Sequence, residues 1–329
     1  MKEEWQEKIF TVEQGGFDDL ALDIFRFQYA GNALYRDYAD LLGRSPRSVG
    51  SVPDIPFLPV RFFKSHAVRT TEFIPELVFE SSGTTATVQS HHDVRSAGIY
   101  SRSFLETFTR FYGQVHDWCI IGLLPAYLER TGSSLVYMVD ALVKESGHPD
   151  SGFYLYDFEK LSIVLKSLGE QKQKTLLIGV SFALQDFAEN FPMDLSFATI
   201  METGGMKGRK KEILRQELHV FLQQQWNLPN IHSEYGMTEL LSQAYSKSKG
   251  IFYCPPWMKI LLRDEEDPLR VLQTNDSRGA INVIDLANIY SCSFIATDDA
   301  GLLHDHGGFE VLGRMDGSDL RGCSLMVGN

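Results

Sequence analysis

Thr175-Leu176-Leu177-Ile178-Gly179-Val180 is followed by a helix-patterned segment, Phe182 to Phe191, and then by a second strand-like run, Phe197-Ala198-Thr199-Ile200-Met201-Glu202. Short apolar runs separated by amphipathic segments suit a parallel sheet, whose strands are packed on both faces by the helices that connect them. The alternation continues outward. Upstream, Trp118-Cys119-Ile120-Ile121-Gly122-Leu123-Leu124 reads as a buried strand stopped by Pro125, Ser133 to Lys144 as helix, Phe153 to Tyr156 as strand and Phe158 to Leu168 as helix. Downstream, Arg209 to Trp226 reads as helix and Asn230 to Ser233 as a short strand. Such alternation predicts an α/β sheet with helices on its faces.

Nearer the start, Leu20, Ile24, Phe25, Ala30, Leu34 and Tyr38 recur at helical spacing, predicting one or two amphipathic helices between Phe17 and Leu42. Prolines at 53, 56 and 59 make Ser51 to Val60 an extended connector, because each removes a donor and forces extended backbone before it. Val94 to Phe111 is helix-patterned. From Leu269 the pattern changes to short strands with polar turns, including Ala280 to Ile284 and Ser293 to Thr297. No repeat or low-complexity linker interrupts the chain. The expectation is one domain over residues 1–329, with a helical portion at 1–50 and a smaller β-rich portion at 269–329.

Composition narrows the function. The 329 residues are 43% hydrophobic and carry a formal net charge of -12, enough for a large core. A chain this acidic is a poor partner for nucleic acid or an anionic membrane, so any phosphate site must be built locally. The start, Met1-Lys2-Glu3-Glu4-Trp5, has no basic-then-apolar leader, and no apolar run approaches a membrane span, so a cytoplasmic location is expected. Cys119, Cys254, Cys292 and Cys323 are dispersed without a C-x-x-C pair, which argues against disulfides and structural zinc. Cys119 and Cys292 read as core.

The chemistry begins at Leu77-Val78-Phe79, an apolar run entering Glu80-Ser81-Ser82-Gly83-Thr84-Thr85-Ala86-Thr87. Backbone N–H groups of a Gly-containing turn, with Ser and Thr hydroxyls, form an anion cradle, although a solvated Ser/Thr turn has the same composition. Three further stretches follow predicted strands: Thr203-Gly204-Gly205, Glu234-Tyr235-Gly236-Met237-Thr238-Glu239 and Thr297-Asp298-Asp299-Ala300-Gly301. Ligands in open α/β sheets bind beyond the carboxyl ends of the strands, so these stretches point to one crevice.

The ordered set Ser81 to Thr85, Gly204-Gly205, Tyr235 to Glu239, Asp298 and Gly313-Arg314-x-Asp316 resembles the adenylate-forming superfamily of acyl-CoA synthetases, peptide-synthetase adenylation domains and luciferases. Ile55 to Pro59, Leu128 to Leu135 and Arg321-Gly322-Cys323-Ser324-Leu325 resemble its LuxE-type acyl-protein synthetases. The resemblance spans roughly Pro53 to the C-terminus. It implies the superfamily's large domain, with sheet layers flanked by helices and without the mobile C-terminal domain. It also implies ATP- and Mg²⁺-dependent activation of a carboxylic acid, a fatty acid in the closest subfamily, followed by acyl transfer to a protein thiol.

By the same resemblance, Ser81, Ser82, Gly83, Thr84 and Thr85 hold the β- and γ-phosphates. Glu239 binds Mg²⁺, and Thr238 hydrogen-bonds the α-phosphate. Tyr235 stacks on adenine, with Gly204, Gly205, Gly236 and Met237 completing the nucleotide site. Asp298 accepts from the ribose hydroxyls, and Arg314 lies near phosphate or ribose. Cys323 carries the acyl thioester before an acyl-reductase partner takes it, with Arg321 able to lower its pKa. For Cys323 the other reading is a small buried residue; for Glu239 it is a helix-start acid favoured by the dipole.

Two departures stand out. Ala86 and Thr87 occupy the place where the superfamily loop brings a lysine, leaving His91 and His92 as substitutes near the phosphates, and the chain ends soon after Arg321. Other readings are a ligase loading a short or polar acid onto CoA or a carrier, and a non-catalytic nucleotide-binding partner of a reductase. Oligomeric state is left open. His304-Asp305-His306 reads as a turn, because adjacent residues in a Gly-bounded turn seldom converge on one metal ion.

Overall fold

The computed structural model describes residues 2–81, 88–124, 132–204, 214–272 and 277–315. The chain opens with helices α1 (Lys2–Phe10), α2 (Phe17–Gly31) and α3 (Ala33–Leu41). Asn32 separates the last two: its backbone is extended and its side chain accepts from Tyr35 N–H at 3.0 Å, capping α3. The expected helix pair is therefore two helices with a shared cap. Buried Gln28 on α2 donates to the carbonyls of Asn288 and Ile289 at 3.0 Å, fastening this portion to the later sheet.

Strand β1 (Leu58–Pro59) lies in the proline-rich connector, followed by α4 (Phe62–Ser65) and a hairpin of β2 (Leu77–Glu80) and β3 (His91–Val94). Helix α5 (Ala97–Tyr112) leads into an alternating series. Its members are β4 (Cys119–Leu123), α6 (Ser134–Ser146), β5 (Gly152–Phe153), α7 (Phe158–Glu170), β6 (Thr175–Val180), α8 (Ser181–Asn190), β7 (Ala198–Thr203), α9 (Arg215–Trp226) and β8 (His232–Tyr235). The expected α/β alternation is present. These strands form one sheet in the order β5-β4-β6-β7-β8, all parallel, closed by antiparallel β9 (Ala244–Ser246). All of β4 and β6 is buried, as strands covered on both faces must be.

A second sheet is built from β10 (Met258–Arg263), β11 (Val271–Leu272), β12 (Ser277–Asp285), β13 (Phe294–Leu303) and β14 (Phe309–Arg314). Its order is β1-β13-β12-β10-β11, with β14 on β13. It reaches beyond the stretch after Leu269: Met258–Arg263 pairs with β12, and Leu58–Pro59 pairs in parallel with Ile295 and Ala296. Pro59 is tolerated because that strand is a two-residue edge. The short strand expected at Asn230 to Ser233 falls at His232–Tyr235, so Glu234 and Tyr235 belong to the strand and not to the turn. Among the described residues, no helix is long and apolar enough to cross a membrane.

Candidate active site

Parallel pairing fixes the register of the carboxyl ends. Thr203 on β7 stands opposite Glu234 on β8, which sets Gly204 beside Tyr235 and Gly236. Gly204 has φ +68°, a conformation that a side chain strains, and its carbonyl accepts from Ser181 Oγ at 3.0 Å. At Gly236 a Cβ would stand 2.5 Å from Glu234 Oε1. A side chain there would have to displace the half-buried Glu234 carboxyl.

The Tyr235–Glu239 turn is held from below. Asp285, fully buried at the end of β12, accepts from Leu241 N–H at 2.8 Å, Ser242 Oγ at 2.6 Å and Ala287 N–H at 3.1 Å. Asn288 Nδ2 donates to the Glu239 carbonyl at 2.7 Å. His92 Nδ1 donates to the Thr238 carbonyl at 2.8 Å, joining the β2–β3 hairpin to the turn. At the mouth of that hairpin Ser81 and Ser90 exchange hydrogen bonds of 2.9 and 3.1 Å, and Glu80 N–H donates to Gly132 O at 2.9 Å.

From the other side, Tyr235 Oη donates to Asp299 Oδ2 at 3.0 Å, tying β8 to β13. Arg314 Nε stands 3.9 Å from Asp299 Oδ1, and Asp298 Oδ1 faces Arg61 at 3.6 Å. Beneath them Arg263 is buried, donating to the carbonyls of Ile281 and Thr297 and to Asn282 Oδ1. Ser81, Gly204, Tyr235, Gly236, Met237, Thr238, Glu239, Asp298 and Arg314 thus sit on elements linked at one end of the parallel sheet. Ser82, Gly83, Thr84, Thr85, Gly205, Asp316, Arg321 and Cys323 lie outside the described residues.

One sequence reading changes. His92 is no phosphate ligand: it is fully buried, and burial lowers its pKa to about 4, so it is neutral and spent on Thr238. Tyr235 is only 8% exposed, with edge contacts to Phe252 and Phe309 at 6.0 and 5.6 Å. Cys119 and Cys292 are buried as expected, their thiols raised by burial to about 11 and about 12. His304, Asp305 and His306 occupy the β13–β14 hairpin turn, with His304 Nε2 2.9 Å from Glu310.

No protein-family model matches this sequence, nor does any curated protein. Solved structures do. The open conformation of 2-hydroxyisobutyryl-CoA ligase, in complex with 2-HIB-AMP and CoA, superposes at TM-score 0.69 and 11% identity, over 94% of this chain and 72% of that one. The fold is that of the adenylate-forming ligases. O-succinylbenzoate coenzyme A synthetase from Bacillus subtilis, in complex with ATP and magnesium ion, gives TM-score 0.52 and 17% identity over 74% and 51% of the two chains. Malonyl-CoA ligase, as a ternary product complex with methylmalonyl-CoA and AMP, gives 0.52 and 17% over 83% and 57%. At such identities the likeness is one of fold.

Within this adenylate-forming fold the sequence reasoning missed the supports. Asp299, beside Asp298, is the residue that meets both Tyr235 and Arg314. Glu234, half-buried, and Glu202, buried, are carboxyls on adjacent strands. Burial pushes Glu202 up, but His219 and Arg215, whose Nε is 3.1 Å away, outweigh it and leave the pKa below the ordinary value. Burial raises Glu234 to about 7, and only the Thr203 hydroxyl opposes it. A charged residue just before the Tyr-Gly turn was the available signal.

Glu234 gives the fold a pH dependence. Its folded pKa of about 7 exceeds the ordinary 4.5. The stability it contributes is therefore complete below pH 4.5 and is lost as pH rises through 7, by about 3 kcal/mol from this group. Glu234→Gln keeps an acceptor for Thr203 and removes the titration. Urea unfolding from pH 5 to 8 should show a loss of stability in the parent that is flattened in the variant. Parallel curves would contradict the assignment.

Proposed function

We propose that this chain activates a carboxylic acid with ATP, forming an acyl-adenylate and pyrophosphate, and then passes the acyl group to a thiol. The observation that supports it is the convergence of Ser81, Gly204, the Tyr235–Glu239 turn and the Asp298–Asp299–Arg314 group at one end of a sheet in this fold. In the first step a carboxylate oxygen bonds to the α-phosphorus, the α–β phosphoanhydride breaks and pyrophosphate leaves. In the second a thiolate bonds to the acyl carbon and AMP leaves.

The residues present suit the nucleotide and its cation. Mg²⁺ takes one or two carboxylates plus phosphate oxygens, not an all-protein cage. That fits buried Glu239. Mg²⁺ would supply positive charge against the attacked phosphate. Thr238 would donate its hydroxyl to the α-phosphate, its carbonyl being already fixed by His92. Ser81, at the clamped mouth of the loop, would set the loop's amides and hydroxyls against the β- and γ-phosphates. Asp298 would accept from a ribose diol, with the Arg61 guanidinium 3.6 Å from its Oδ1.

The resemblance to LuxE-type proteins extends the proposal to a fatty acid, to Cys323 as the thiol and to an acyl-reductase partner in the cytoplasm. Incubation with ATP, Mg²⁺ and labelled acid should add one acyl group to Cys323, removed by hydroxylamine and absent in Cys323→Ser. Acid-dependent AMP formation with label on CoA, and none on Cys323, would reject the protein-thiol step and keep the activation.

One observation favours a different acid. Thr203 and Glu234, on the strand ends beside Gly204 and Gly236, form a part-buried polar pair near Tyr100 and Gln243, whose Oε1 has no hydrogen-bond partner. An acid carrying a hydroxyl or amino group would satisfy those acceptors, whereas an alkyl chain would leave them unmet. The second reading is therefore a ligase for a short polar acid.

A further inference from the structure

A cleft of about 340 Å³ opens between the end of α5 and the end of β9. Helix α5 ends at Tyr112 just before β4 begins, and Lys247 follows β9 alongside the start of β8. The cleft between them therefore lies at the amino ends of the parallel strands. Its volume falls in the range of small-ligand sites, roughly 300–1,000 Å³. Arg110 and Phe111 form one wall; Tyr245, Lys247, Ser248 and Tyr253 form the other.

Three observations give the cleft a chemistry. Arg110 and Lys247 make no ion pair among the described residues, although acidic residues outnumber basic ones by 43 to 31. Each cation instead rests near an aromatic ring, Arg110 at 5.5 Å from Trp257 and Lys247 at 5.4 Å from Tyr112, which orients it without neutralising it. The rings are fixed as well. Phe111 meets Tyr245 edge-on at 5.4 Å, and Tyr253 is held by His306 through a 3.2 Å hydrogen bond and ring stacking at 5.8 Å. Tyr253 is still 42% exposed, so it offers surface to a ligand.

We infer that this cleft is a second binding site, separate from the candidate active site, for a small aromatic anion such as an aryl phosphate. Arg110 and Lys247 hold the anionic group, Arg110 with its planar fork and Lys247 as a point charge. Phe111 and Tyr253 take the ring. The inference does not rest on the proposed acid activation, since none of these residues belongs to that site.

The test is calorimetric titration of the full chain with 1-naphthyl phosphate and, separately, with inorganic phosphate. The expected result is saturable binding of 1-naphthyl phosphate, at least tenfold tighter than inorganic phosphate. The Arg110→Ala/Lys247→Ala double variant should lose it by at least tenfold, and Tyr253→Ala should weaken the aryl phosphate selectively. Both cations are exposed, so the double variant should keep the parent circular dichroism spectrum. Binding unchanged in the double variant would place the ligand elsewhere and overturn the inference. So would no binding at millimolar ligand, or equal affinity for inorganic phosphate.

Discussion

Asp285→Ala is expected to lower the unfolding free energy by about 3 kcal/mol and to disable the Tyr235–Glu239 turn. Asp285 is fully buried, and its carboxylate is the acceptor for Leu241 N–H, Ser242 Oγ and Ala287 N–H. Burial raises its pKa to about 6, so it is ionised at pH 7. Alanine would leave these donors buried without that acceptor, at roughly 1–3 kcal/mol each when nothing replaces it, offset by relief of a buried charge. Ser242 also contacts Ser103 Oγ and Trp257 Nε1, both at 3.1 Å, so the loss would spread towards α5. Asp285→Asn retains one acceptor and should cost about half as much. Urea unfolding of the three proteins at pH 7 measures this; a cost below about 1 kcal/mol for alanine would show that the carboxylate does not hold the turn.

Glu239→Gln should leave the fold nearly intact and slow acid activation by about 100-fold or more, the scale of losing one fixed charge-stabilising contact. The distinction rests on which part of Glu239 does what. Its carbonyl is fixed by Asn288, a contact that glutamine preserves. Its carboxylate is what would carry the cation, and an amide oxygen is a weak substitute for a hard ion. Steady-state rates at saturating ATP with increasing Mg²⁺, alongside thermal unfolding, separate the two. Parent-like rates at all Mg²⁺ concentrations would remove Glu239 from the metal role.

The sheet was legible because its strands are buried on both faces: an apolar run such as Leu176 to Ile178 has no other stable use between two amphipathic helices. The second sheet was legible only in part. Met258–Arg263 ends on a charged residue that the fold buries, and Leu58–Pro59 becomes a strand only because β13 is there to pair with it. The candidate site shows the same division. Motif residues such as Tyr235 to Glu239 and Asp298 stand out by local order, whereas Asp285, Asn288, Arg61 and His92 matter through partners 44 to 237 positions away along the chain. His92 looked like a phosphate ligand because it follows the Ser/Thr loop. Only its burial under Thr238 shows otherwise.

The most direct test of acid activation is ATP–pyrophosphate isotope exchange by the purified chain. It would use Mg²⁺ and a panel running from acetate through hydroxy and amino acids to long-chain fatty acids. The exchange reads acyl-adenylate formation without the acyl acceptor. The account predicts exchange that depends on one class of acid and falls at least 100-fold in Glu239→Gln; the class that supports it decides between the fatty and the polar acid. ATP binding without exchange for any acid on the panel would contradict it and leave a nucleotide-binding module in its place.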